Sequence, residues 1–322
     1  MLVSFIIPAL NEERHLARCL RSILALDRPA EVTGVEILVV DNQSKDRTSG
    51  IAQEFGAKVV TVQPGLVSRS RNAGVRASGG RLLAFLDADC EISSDWLTRC
   101  AGHVIQSEVL AAGTGMAAPA PTAPWVERCW YTIAYSRPVA ESERVDWLMS
   151  FNLLVRREAF VQVGGFDESL VTCEDSDFGY KLAARGRLIR DHVARTVHHG
   201  ESKNLSQFFR REAWRSRGNL PMAFRHGMMA RELPSLLGPP AFVVALLAGL
   251  TMMALAFLWP TLAWTGVSLV VAALLLPATV LLGKRIYPTR PGMFFASWVL
   301  FTVYLFARFV GMFLPIGRVT DR

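Results

Sequence analysis

Three apolar stretches of about 22 residues, Leu236–Leu258, Thr261–Gly283 and Gly292–Leu314, follow one another in the last third of the 322-residue chain. At 1.5 Å per residue each makes a helix about 33 Å long, enough to cross the roughly 30 Å hydrocarbon layer of a bilayer. Three such lengths in succession would need far more surrounding protein than this chain supplies, so the sequence predicts three transmembrane helices rather than core helices of a soluble domain. Only Trp259-Pro260 separates the first two, which makes them a hairpin. Lys284, Arg285 and Arg290 stand between the second and third.

The formal charge of +7 is unevenly spread. Residues 1–201 carry 22 Lys and Arg against 25 Asp and Glu, residues 202–232 carry 7 against 2, and residues 233–322 carry 6 against 1. The surplus therefore lies beside and within the apolar third, where a membrane surface fits it better than a nucleic-acid backbone, and no nucleic-acid partner is expected. The positive-inside rule puts both the 284–290 loop and the basic segment Lys203–Arg231 on the cytoplasmic side. The N-terminal part is then cytosolic and the C-terminus outside. Arginines outnumber lysines 30 to 5, which fits a GC-rich bacterial genome, and the membrane expected is therefore the bacterial cytoplasmic one. Cys19, Cys90, Cys100, Cys129 and Cys173 show neither C-x-x-C pairing nor regular spacing, so neither a zinc knuckle nor a disulfide framework is indicated and a reducing compartment fits. The run Leu2–Leu10 lacks a basic leader and reads as a buried strand rather than a signal peptide.

Residues 1–201 alternate short apolar runs with amphipathic segments. Strands are predicted at Val3–Ile7, Glu36–Val40, Lys58–Val62, Leu82–Leu86 and Val193–Val197. Helices are predicted at Glu12–Leu26, Asp46–Phe55, about Ser68–Ala77 and from Glu174 to Ala184. A βαβαβαβ order implies an α/β fold: a Rossmann-like, mostly parallel sheet covered by helices, with ligands beyond the carboxyl ends of its strands. Three prolines within Ala117–Pro124 read as a stiff loop inside this domain rather than a linker. A basic juxtamembrane segment, 202–235, joins the domain to the membrane part, 236–322.

Acidic residues stand directly after two of the buried strands, Asp41 after the second and Asp87-Ala88-Asp89 after the fourth. Two carboxylates one residue apart suit a hard divalent cation that keeps positions open for phosphate oxygens. Taken alone, the tripeptide is better explained by a solvated turn with a helix cap. Arg71-Asn72-Ala73-Gly74, shortly before, can place a guanidinium on a diphosphate.

Five ordered segments give these residues a family likeness: Pro8-Ala9-Leu10-Asn11-Glu12, Val39-Val40-Asp41-Asn42-Gln43-Ser44, Arg71-Asn72-Ala73-Gly74, Asp87-Ala88-Asp89, and Gly164-Gly165-Phe166-Asp167-Glu168 followed by Glu174-Asp175. Together, over about 170 residues, they resemble a family 2 glycosyltransferase. The resemblance implies a GT-A fold, a nucleotide-diphosphate sugar donor, Mg²⁺ or Mn²⁺, and inversion at the anomeric carbon. It places Pro8, Asn11, Glu12 and Asp41 around the nucleotide, Arg71 towards the diphosphate, Asp87 on the ribose or sugar side and Asp89 on the metal. Asn11 and Glu12 can equally cap the following helix. Gly165 and Asp167 fall in the acceptor half. Asp175 is the expected base for an acceptor hydroxyl, with Glu174 raising its proton affinity by like-charge repulsion. The alternative is that Glu174, Asp175 and Asp177 simply favour a helix N-terminus.

His198 and His199 follow the last predicted strand, and His199 is the expected further metal ligand, a structural role being the alternative. Gln207-Phe208-Phe209-Arg210-Arg211 partly matches the Q-x-x-R-W signature of processive relatives, with Arg211 where Trp is expected. Arg210, Arg211 and Trp214 belong to a basic, aromatic amphipathic helix that would rest on an anionic membrane face and hold lipid phosphate or donor diphosphate. Arg308, six residues from Leu314, is expected to snorkel to the outer interface. The whole reads as a membrane-anchored inverting glycosyltransferase with a lipid, polyprenyl phosphate or lipid-linked glycan acceptor. A tethered nucleotide-sugar-binding subunit without chemistry and a processive synthase are the alternatives.

Overall fold

The computed structural model describes residues 1–105, 108–135, 140–227, 229–284, 286 and 291–314, without the side chains of 229–232 and 291. The described residues form two units, one from 1–118 and 140–201, the other from 119–135 and 202–314. In chain order the elements are β1 (Leu2–Ala9), α1 (Leu16–Leu24), β2 (Gly34–Asp41), α2 (Thr48–Glu54), β3 (Lys58–Thr61), α3 (Val67–Arg76), β4 (Leu82–Leu86), β5 (Cys90–Ile92), α4 (Trp96–Val104) and β6 (Val109–Met116). There follow α5 (Trp125–Ala134), β7 (Ser142–Val145), β8 (Asn152–Arg156), α6 (Arg157–Gln162), α7 (Glu174–Ala183), β9 (Arg187–His198), α8 (Leu205–Ser216), α9 (Asn219–Arg225), α10 (Met229–Leu255), α11 (Leu262–Gly283) and α12 (Pro291–Phe313).

The first unit is built on one sheet of order β3-β2-β1-β4-β8-β6-β9-β5, with β7 also paired to β9. β3, β2, β1 and β4 are parallel, β8 is antiparallel to β4 and β6, and β6 is parallel to β9. Period-two alternation divides β1 between two cores. Phe5 and Ile7 pack with Leu16 and Leu20 of α1 and Trp96 of α4, whereas Ile6 packs with Phe85, Phe160, Phe166 and Phe178 on the opposite face. Burial of each such side chain contributes roughly 1.5–3 kcal/mol. Gly74 lets α3 close onto the sheet, since a Cβ there would lie 2.4 Å from Ile6 Cγ2.

Two expectations need correction here. The helix expected from Glu12 begins only at Leu16, because Asn11 is left-handed (φ 56°) and the amides of Asn11, Glu12 and Glu13 are taken by side chains of Ser44, Thr48 and Asp46. The proline-rich stretch 117–124 carries the chain out of the first unit. α5 beyond it buries Val126, Cys129 and Ile133 among Phe208, Phe242 and Phe301 of the second unit.

In the second unit, Asn204 caps α8 by accepting from the Gln207 amide at 2.9 Å, and Gln207 accepts from the Lys203 amide at 2.9 Å. Leu233–Leu255, Leu262–Gly283 and Gly292–Phe313 are long and apolar enough to cross a membrane. α10 and α11 form the expected hairpin, with Gly249 against Gly266. Arg285 and Arg290 lie outside the described residues. Arg308 finds partners within the protein: its Nε is 4.0 Å from the buried Glu212 of α8 and 3.2 Å from Tyr304 Oη, and its guanidinium lies over the Tyr304 ring. No disulfide joins the cysteines among the described residues.

Candidate active site

The parallel strands β1, β2 and β4 end on one edge of the sheet, and the loops that leave them are tied to one another. Pro8 pairs with Val40 and Ala9 with Asp41 in the β1–β2 register. Asn11 accepts from the Lys45 amide at 2.8 Å and its own amide donates to Ser44 at 2.9 Å. Asp41 is buried, accepting from the Ser44 amide at 2.9 Å and from the Ser49 hydroxyl. These bonds hold the β1 and β2 loops as one rim. Neither Asn11 nor Glu12 caps α1 with its side chain; His15 is the N-cap.

After β4 the chain turns at once. The Cys90 amide donates to Asp87 O at 3.0 Å, closing a β-turn over Asp87-Ala88-Asp89-Cys90 before β5 pairs antiparallel with β9. That pairing sets Cys90 opposite His198, and the His199 amide donates to Asp89 O at 2.9 Å. His198 Nε2 consequently lies 3.4 Å from Asp89 Oδ1, while its Nδ1 is 2.9 Å from Glu201 and its ring stacks on Phe151. Gly200 abuts Asp89, with room for no Cβ: one there would sit 2.1 Å from Asp89 Oδ2.

The expected ligand His199 is placed otherwise. Its Nε2 meets Glu91 and its ring stacks on His15. Strand parity gives the reason. Ala194 and Thr196 point inwards and are buried, Val193 and Val197 point out, and His198 continues the inward face. His199 lies one residue past the strand.

Glu12 faces this turn. Burial, together with the charges of Asp89 and Asp87, pushes its carboxyl up to about 7. A half-buried carboxyl raised by two neighbouring carboxylates is an environment that a divalent cation relieves. A carboxylate with an imidazole whose other nitrogen is held by Glu201 is a suitable donor set. Asp89, Cys90 and His198 present ligand atoms within 4.8 Å of one another. The Cys90 thiol is a poor member of this set, since burial and then the Asp89 and Asp87 charges push its pKa well up and leave it protonated. The residues present therefore fit a hard cation on Asp89 and His198.

Arg71 joins the donor and acceptor halves of the motif set. Its guanidinium, 3% exposed, is 2.9 Å from Asp87 at the end of β4 and 2.9 Å from Glu174 at the start of α7, and it lies over the Phe166 ring. The side chain expected to approach a diphosphate is thus engaged by two carboxylates. Glu174, expected to repel a proton-accepting neighbour, has its charge compensated by that guanidinium. Asp175 stands beside it in the first turn of α7, its Oδ1 accepting from the Ser176 amide at 2.8 Å.

Asn72, next to Arg71, grips the glycine turn. It donates to Phe166 O at 2.8 Å and to Glu168 at 2.9 Å, and accepts from the Phe166 amide at 3.1 Å. Gly165 has φ +71°, and a Cβ there would meet the Phe160 ring at 2.8 Å. Asp167 caps its own turn through the Ser169 amide and hydroxyl. Arg210, Arg211 and Trp214 lie on α8 in the second unit. Glu201 and Asn72 were not among the expected site residues; His198 was expected only as an alternative to His199, and strand parity favours it.

A sequence model of the family described as glycosyl transferase family 2 matches residues 4–164, half of the chain. Among curated relatives, glycosyltransferase AglE of Haloferax volcanii is 28% identical over 207 residues, 60% of this chain and 67% of its own length. The uncharacterized glycosyltransferase EpsJ of Bacillus subtilis is 27% identical over 55% of this chain and 54% of its own. The pre-mycofactocin glycosyltransferase of Mycobacterium tuberculosis is 25% identical over 70% of this chain and 48% of its own. The chain thus spans about half to two thirds of the length of these relatives. Among solved structures, the mannosyltransferase PcManGT from Pyrobaculum calidifontis, in complex with GDP-Man and Mn²⁺, covers 96% of this chain and 86% of its own at TM-score 0.61 and 18% identity. GalNAc-T7 with UDP, GalNAc and Mn²⁺ covers 73% of this chain and 57% of its own at TM-score 0.50 and 15% identity. The fold of the first unit is GT-A-like.

Proposed function

Since the chain belongs to glycosyltransferase family 2, we propose that it is an inverting, metal-dependent hexosyltransferase carrying a sugar from a nucleotide-diphosphate donor to a membrane-associated acceptor. One observation carries the reading: Asp89 and His198 meet at the carboxyl end of the parallel strands, beside a Glu12 that resists ionisation among its acidic neighbours. PcManGT with GDP-Man and GalNAc-T7 with UDP, both holding Mn²⁺, support a nucleotide donor and Mg²⁺ or Mn²⁺ here.

In this reading the joined β1 and β2 loops, with Pro8, Asn11 and Asp41, form the nucleotide side. Asp89 and His198 would hold the cation, which when bound would supply positive charge against the diphosphate. Arg71 positions Asp87 and Glu174 and so keeps the ends of β4 and α7 in register. Asp175 takes the proton of an acceptor hydroxyl attacking the anomeric carbon from the face opposite the leaving diphosphate. The C-terminal helices keep the protein in a bacterial cytoplasmic membrane with the catalytic unit in the cytosol, where it meets a lipid, polyprenyl phosphate or lipid-linked glycan.

The test uses the purified full chain, Mn²⁺ and a panel of nucleotide sugars with membrane lipid extract. Transfer or slow donor hydrolysis is expected, abolished by chelator and by Asp89→Asn. Donor binding without turnover on any acceptor would instead favour the non-catalytic subunit. Asp175→Asn should lower transfer by about 10²–10⁴-fold for a hydroxyl acceptor. A phosphate monoester acceptor is already largely ionised near neutral pH, its second pKa being about 6, so undiminished turnover would remove Asp175 from the role of base.

A further inference from the structure

Length and hydropathy make α12 a candidate third span, yet its contacts run across the α10–α11 hairpin rather than along it. The hairpin register is fixed where the helices touch: a Cβ on Gly249 would lie 2.8 Å from Gly266 O and 3.0 Å from Val270 N, and one on Gly266 would lie 2.9 Å from Met253 N. Seven residues from Gly249 towards the open end, Phe242 is therefore level with residues 273–277 of α11. α12 meets that level twice. Trp298 Nε1 donates to Leu274 O at 3.0 Å on α11. Phe306, about 12 Å further along the α12 axis, packs edge-on against Phe242 of α10, ring centroids 5.2 Å apart. A third antiparallel span would by then have moved about 12 Å along the hairpin.

The shared level also has a depth. It lies about 16 residues, or about 24 Å, from the Trp259-Pro260 turn, where Phe257 (93% exposed), Trp259 and Trp264 form an aromatic tip of the kind that sits at a membrane interface. In a hydrocarbon layer of roughly 30 Å, that distance from one interface is close to the other.

The partner of α12 gives an independent argument. A Cβ on Gly311 would lie 2.0 Å from Ala213 O of α8, and Arg308 reaches the buried Glu212 of the same helix. α8 carries Arg210, Arg211 and Arg215 and begins seven residues after His198. That connection reaches at most about 25 Å, too short to cross a bilayer, so α8 stays on the side of the catalytic unit. A straight span would take Arg308 and Gly311 to the opposite interface, away from the helix they touch.

We propose that α12 lies in the membrane interface on the catalytic unit's side, clasped by α8 and resting its exposed Phe295 and Phe313 on lipid. Only α10 and α11 cross, and α12 ends on the catalytic side, opposite to the expectation from charge counting. The inference holds whatever sugar or acceptor is used. The test takes the full chain with its native cysteines replaced, in sealed vesicles of each orientation, with single cysteines at Leu24, Phe257 and Phe313 and a membrane-impermeant maleimide. Phe313→Cys should label from the side that labels Leu24→Cys and not from the side that labels Phe257→Cys. The reverse overturns the proposal. Should the cysteine-replaced chain fail to fold, protease digestion of an epitope appended after Arg322 decides it. Loss of the epitope together with the catalytic unit is expected, and its protection while that unit is digested is the overturning result.

Discussion

His198 Nε2 lies 3.4 Å from Asp89 Oδ1, with Glu201 on the other ring nitrogen of the histidine. This arrangement predicts which of the two adjacent histidines matters. His198→Ala should weaken Mn²⁺ binding at least as much as Glu201→Gln, for which a loss of about 10–100-fold is expected of an orienting partner. His199→Ala, which removes a Glu91 contact instead, should fall below both. Isothermal titration of Mn²⁺ into the three variants ranks them; a larger loss for His199→Ala would move the ligand one residue along.

Glu12 makes the site sensitive to pH. Its carboxyl is raised to about 7 from an ordinary 4.5 by burial and by Asp89 and Asp87. In metal-free protein the stability from its protonated form is fully present below the ordinary value and lost as pH rises through about 7. A cation competes with the same proton, so Mn²⁺ affinity should climb over that interval, with proton release on binding at the acid end. Glu12→Gln should flatten both trends. Thermal melts with and without Mn²⁺ across about pH 5–8 read them, and a metal-free melting temperature that rises with pH would contradict the assignment.

The strands β1, β2 and β4 were legible within two or three residues because both faces are buried and their apolar runs are nearly unbroken. The start of α1 was not, because a left-handed Asn11 and amides captured by the β2 loop outweigh helix periodicity, and neither registers in a local pattern. Asp89 stood out through its position after a strand. Which of His198 and His199 faces it follows from the inward parity of Ala194 and Thr196, which favours His198. Arg71 reads as a phosphate ligand until Glu174, over a hundred residues away in sequence, is seen to share it. α12 shows the limit most plainly, since hydropathy marks its length but not the close approach of Gly311 to Ala213 of α8.

Gly200 sets how close the β9 loop comes to Asp89. In Gly200→Ala the new methyl would stand 2.1 Å from Asp89 Oδ2, so the carboxylate or the loop must shift. Overpacking of this kind costs about 1–3 kcal/mol. Mn²⁺ binding and sugar transfer should fall together while circular dichroism stays that of the folded protein. A variant with unaltered Mn²⁺ affinity would show that Asp89 is not held in place by this contact.

Arg71 compensates two acids at once, and the consequences of removing it can be separated. Arg71→Met strips the counter-charge from Asp87 and from Glu174, the latter 13% exposed. Breaking a buried pair in this way costs about 3–5 kcal/mol, because the surviving charge is left without a partner. Arg71→Lys keeps the charge but loses the planar fork, so its single ammonium cannot serve both carboxylates in the same geometry. It should fall between wild type and Arg71→Met. Adding Glu174→Gln to Arg71→Met removes one of the stranded charges, and part of the lost stability should return. Urea unfolding of the four proteins measures the series. Additive losses, with no recovery in the double variant, would mean that Arg71 acts through packing on Phe166 rather than through the two carboxylates.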